Sequence, residues 1–127
     1  MKNLIILIFI SSIAFGCSKI KSYEEAKVLA DKIESNSANK QHQSNVLVPY
    51  FTNNYSSVLK DCFSKVKSPD ASTFNMILVI SKDGNIEKIY RDKETNIGIC
   101  MFKNLKNNRF PKPIISPYYF HIEMAFN

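Results

Sequence analysis

The chain has 127 residues, 17 of them Lys or Arg and 11 Asp or Glu, for a formal net charge of +6. That length holds one small domain and a tether and excludes a second core. Arg is confined to Arg91 and Arg109, too little guanidinium for a dedicated reader of nucleic-acid phosphates and bases. A moderately basic exported protein suits anionic phospholipid or an acidic partner, yet lysines such as Lys60, Lys65, Lys67, Lys82, Lys88, Lys103 and Lys106 are spread as on an ordinary solvated surface.

Lys2 precedes an apolar run from Leu4 to Phe15, broken only by Ser11 and Ser12. This is the layout of a secretory signal peptide, and its dozen or so residues fall short of the roughly 20 that a spanning helix needs. Ala14 and Gly16 place small residues three and one before the Gly16-Cys17 bond, as signal peptidase prefers. The same junction resembles a bacterial lipobox, although Ala14 stands where Leu is usual and Phe15 where a smaller residue is. The resemblance implies a fatty acid such as palmitate on Cys17, with plain secretion and an uncleaved anchor as alternatives. All three put the body of the protein outside the cytoplasm. The expected division is residues 1–16 as signal peptide, 17–53 as lipid tether, N-terminal helix and polar linker, and 54–127 as the folded domain.

Ser22 and Glu25 stand at capping-box spacing, so a helix is predicted from Tyr23. Tyr23, Ala26, Leu29, Ala30 and Ile33 form its apolar stripe. The following SNSANKQHQSN is polar and reads as a loop, with His42 solvated in it rather than bound to a metal. A second helix is predicted over about 54–67, where Tyr55, Val58, Leu59, Cys62, Phe63 and Val66 share a face; Asn53 or Asn54 would cap it and Ser68-Pro69 would end it. TFNMILVISKDGNIEKIYRD then carries the signal of a hairpin turning at Asp83-Gly84. Its first strand is apolar on both faces, the mark of a strand inside a sheet or covered on both sides.

Thr95 is the expected cap of a further helix bearing Ile97, Cys100, Met101 and Leu105, weakened by Gly98 and stopped near Asn107 or Asn108 ahead of Pro111 and Pro113. In PYYFHIEMAFN, Tyr118, Phe120, Ile122, Met124 and Phe126 alternate with Tyr119, His121, Glu123 and Ala125, the period of a strand with one buried face. The expected fold is a two-layer α+β domain of helix-strand-strand-helix-strand order. A three-stranded antiparallel sheet packs on helices, and an extra helix precedes the domain.

ILVISKDGNIEKIY, NIGICMFKNLKNNRFPKP and SPYYFHIEM together resemble the C-terminal domain of the TonB family and the related AgmX/PglI C-terminal domains. Those domains share this element order, a hairpin turning at Asp-Gly, a helix ending at a Phe-Pro motif, and a final strand. The resemblance covers the last 70 or so residues and implies an exposed strand edge able to accept a partner's extended segment. It also implies that the helices bearing Cys62 and Cys100 pack on one face of the sheet. Two such cysteines in an oxidising compartment are expected to pair, with two buried thiols as the alternative. An energy transducer of the TonB type keeps an uncleaved membrane helix and a long Pro-rich spacer. With neither in view, the expectation is a free-standing binding domain.

No arrangement of residues points to catalysis. His121 and Glu123 lie two apart on the outward face of the last strand, without a second His for zinc or a nucleophile at a motif position. The three glycines, Gly16, Gly84 and Gly98, build no phosphate-cradling loop. Neither a cofactor nor a metal is expected, and neither a nucleic acid nor a small-molecule substrate. The expected partner is an envelope protein, met along the last strand at Tyr119, His121 and Glu123 on the periplasmic side of a Gram-negative membrane. Ser18 after the cysteine favours the outer membrane. The alternative is a periplasmic immunity protein that neutralises a secreted antibacterial toxin.

Overall fold

The structure, a computed structural model, describes residues 22–126; the apolar leader and Cys17 lie outside the described residues. The elements run α1 (Tyr23–Glu34), α2 (Ser37–His42), a π-helical turn (Gln43–Leu47), α3 (Val48–Lys65), β1 (Phe74–Ile80), β2 (Ile86–Arg91), α4 (Asn96–Leu105) and β3 (Tyr118–Met124). The sheet is antiparallel in the order β2-β1-β3. This is the expected α+β fold, with an N-terminal helix ahead of the core elements.

β1 is central because both of its faces are apolar. Phe74, Met76, Leu78 and Ile80 join the main core, which α3 and α4 supply with Tyr55, Cys62, Ile97, Met101 and Leu105. Ile77 points the other way and meets Ala26 and Ala30 of α1. The small alanines let α1 lie close on the sheet's second face, adding a further layer there. Along β3, Tyr118, Phe120 and Met124 are buried, while Ile122 and Phe126 pack half-buried against the same core. Each large side chain so placed contributes roughly 1.5–3 kcal/mol.

Local chemistry places the element ends. The Ser22 hydroxyl accepts from the Glu25 amide at 3.2 Å, and the Thr95 hydroxyl from the Gly98 amide at 2.9 Å, so two predicted caps form. Gly98 costs helix propensity, but a Cβ there would stand 3.3 Å from the Phe74 ring. Its absence lets α4 approach β1.

The polar stretch read as a loop is instead helical. Asn36 accepts from the Asn39 amide at 3.1 Å and starts α2, and the backbone stays right-handed helical through the π turn into α3. Pro49 explains the π turn. It has no N–H to give, and its ring would crowd the carbonyl four residues back. Widening the turn, with the Val48 amide bonded to Gln43 O, accommodates both. The predicted start near residue 54 is therefore too late. Asn54 caps nothing, and its side-chain amide donates back to Tyr50 O at 2.9 Å. The helix ends at Lys65, where Val66 turns extended, slightly before Ser68-Pro69. His42 is half-buried on this helical path, its ring edge-on to Tyr118 at 5.9 Å between centroids. It is not a solvated loop residue.

Candidate functional site: the outer edge of β3

β3 closes one side of the sheet. In an antiparallel sheet, successive residues of a central strand direct their backbone groups to one neighbour and then to the other. The Asp92 amide donates to Asn75 O at 3.2 Å, so Asn75, Ile77 and Val79 address β2. Phe74, Met76, Leu78 and Ile80 address β3, where they face Met124, Ile122, Phe120 and Tyr118. It follows that the backbone N–H and C=O groups of Tyr119, His121 and Glu123 lie along the free edge. Among the described residues no turn, loop or helix backbone hydrogen-bonds to them.

The side chains of the same three residues lie on the α1 face. Sequence alternation places them toward solvent, but α1 crosses that face and covers part of it. Tyr119 packs half-buried with Ala26, Ala30 and Ile77, and burial, with the Glu87 charge adding to it, raises its phenol above the ordinary 10.0. Glu123 stays exposed. His121 is half-buried, with Nε2 at 2.8 Å from Asn75 Oδ1. The Asn75 side-chain amide donates to Asp92 Oδ2 at 2.8 Å. A carboxylate only accepts, so the amide oxygen must face His121, and Nε2 carries the proton in that bond. Burial, then Lys27, pull His121 below its ordinary 6.5, against the carboxylates of Glu34, Asp31 and Glu123.

Beside the edge runs a groove of about 310 Å³ between β3 and the first turns of α3. Val48, Phe51 and Thr52 form one wall and Phe120 to Met124 the other. Val48 is 44 % exposed, so the apolar wall is open to an incoming chain. Sequence reasoning misses this wall because it keeps residues before 54 out of the helix. The signal that marks it is Pro49, a residue favoured in a helix's first turn. Edge and groove together offer backbone pairing plus a slot for alternate apolar side chains.

Away from the edge, Cys62 and Cys100 are joined as a disulfide, Cα to Cα 5.8 Å, tying α3 to α4. Among the described residues, no helix is long and apolar enough to cross a membrane. Nor are His, Cys, Asp or Glu side chains gathered in a group of three or more for a metal. No family model, curated protein or solved structure matches the chain.

Proposed function

We propose that this chain is an exported envelope lipoprotein whose α+β domain binds a partner protein without catalysing a reaction. The observation that carries the reading is the free edge of β3. Unpaired backbone groups of Tyr119, His121 and Glu123 stand beside an apolar groove, the surface that β-augmentation requires. Kinship with TonB C-terminal-type domains belongs to the same proposal and draws on the element order, the Asp83-Gly84 hairpin and the Phe110-Pro111 stop. Acylation of Cys17 would hold the domain on the periplasmic side of a membrane, within reach of other envelope proteins.

Glu123→Pro tests the edge, because it removes a backbone donor that no bond to β1 uses, at an exposed position. Tagged protein should capture a partner from membranes, and the variant should lose it while melting normally. Capture that survives would place the partner elsewhere. The identity of the captured protein separates an envelope component from a secreted toxin. Cys17→Ser should leave the membrane fraction and lose incorporated fatty acid; retention without label would indicate an uncleaved helix instead.

A further inference from the structure

The two sulfurs of the Cys62–Cys100 bridge stand in different surroundings. Cys62, on α3, is wholly buried in the main core. Cys100, on α4, is half-buried and lines an open hollow of about 330 Å³ together with Val66, Ile99, Lys103 and Asn104. Access decides which sulfur of a disulfide a thiolate can strike. The approach lies on the Cys100 side, and the core closes off Cys62.

An attacking thiol reacts as its thiolate, and the charged side chain lining the hollow is the cationic Lys103. The sulfur that leaves also becomes a thiolate, which a buried apolar setting disfavours. Asn104 offsets that cost. Its side-chain amide gives one N–H to Cys100 O at 2.9 Å, and the same nitrogen stands 4.0 Å from Cys62 Sγ and 3.9 Å from Cys100 Sγ. The second N–H is therefore within reach of the sulfur on which charge develops.

We infer that Cys100 is the site at which this bridge exchanges with an external dithiol reductant, with Cys62 as the leaving sulfur and Asn104 as its hydrogen-bond donor. One thiolate of the reductant bonds to Cys100 Sγ as the S–S bond breaks, and the electron pair leaves on Cys62 Sγ, which takes a proton from water. The reductant's second thiolate then attacks its own sulfur in the mixed disulfide and releases Cys100 as a thiolate. Two electrons pass, so the dithiol ends as a disulfide and the bridge as two thiols. Packing alone then joins α3 to α4. The inference uses no part of the β3 edge.

Glutathione, a monothiol, reports the site because it has no second sulfur to complete the sequence. The intact oxidised chain is treated with it in native buffer, quenched in acid, alkylated at free thiols and mapped by mass spectrometry. Glutathione should be found on Cys100 and the alkyl group on Cys62, with opening of the bridge proportional to glutathione concentration. Asn104→Leu alters an exposed residue and should slow opening about threefold or more at an unchanged melting temperature. A second measurement avoids reclosure of the bridge. The lone Cys100 thiol of Cys62→Ala should take up glutathione from glutathione disulfide about tenfold or more faster than the lone Cys62 thiol of Cys100→Ala, both assayed well below their melting temperatures. Glutathione on Cys62, equal rates in the two single-cysteine variants, or opening at a rate independent of glutathione, set by unfolding, would overturn the inference. An unchanged rate in Asn104→Leu would overturn the donor role.

Discussion

Gly84 sits at φ +92°, where a Cβ would overlap the Phe110 carbonyl oxygen. The Phe110 amide donates to Gly84 O at 2.7 Å, so turn and loop are drawn together and cannot make room cheaply. Gly84→Ala should therefore cost more than about 2 kcal/mol in urea unfolding, since positive φ and the clash act together. The two histidines make a second residue-scale prediction. His42 Nε2 is buried without a hydrogen-bond partner among the described residues, and burial lowers both His42 and His121 below 6.5. Both are neutral in either state well above that value. As pH falls through it, the unfolded chain takes up protons first, so stability drops until the folded-state values are reached. Ring titrations by NMR should show both midpoints under 6.5, with a lower melting temperature at about pH 5 than at about pH 7.5; midpoints at or above 6.5 would contradict the packing. The Gly84 turn is legible in Asp83-Gly84 alone. The state of His42 is not, because the ring it meets edge-on, Tyr118, lies far along the chain.

At the scale of elements, the helical path from α2 through α3 is held at both ends. Tyr118 OH donates to Asn39 O at 3.1 Å and lies 3.2 Å from Gln43 Oε1. Burial, with Glu34 adding to it, pushes that phenol up to about 12, so it remains a donor across the physiological range. Near the far end, Cys62 is fully buried against α4 and bonded to Cys100 across 38 residues of chain. Closing such a loop restricts the unfolded chain by about 4 kcal/mol. The Cys62→Ala, Cys100→Ala double variant should lose about that much in urea unfolding, and reduction of the native protein should lower its midpoint similarly. A midpoint unmoved by reduction would mean that the bridge contributes nothing. The periodic helices and strands were legible because their apolar spacing repeats locally. The segment from Ser37 to Leu47 was not, since polar residues mostly face water there and its helicity rests on the Asn36 cap and on contacts with β3.

Across the whole molecule, the sheet is covered unequally. The main core draws on α3, α4 and the α4–β3 loop, whereas α1 meets the second face through the small cluster of Ala26, Ala30 and Ile77. A layer with so little buried apolar area is expected to open as its own unit. Amides of α1 should exchange with solvent faster than those of β1 and α4. Ala30→Glu should accelerate α1 further, expose Tyr119 and leave the β1 amides protected. Equal acceleration of α1 and β1 would mean a single cooperative unit. This layering also bears on the candidate site, because α1 shields the side chains of Tyr119 and His121 while their backbone groups remain on the edge.

The sequence by itself determined the two-sided apolar character of β1, the alternation of β3, the caps at Ser22 and Thr95 and the hairpin at Asp83-Gly84. Each depends on residues within a few positions of one another. Only the tertiary structure decided that α1 lies over β3, that the polar segment continues into α3, and that a groove separates α3 from the strand edge. Those features arise where surfaces distant in sequence meet, and local periodicity carries no record of which element will cover a given face.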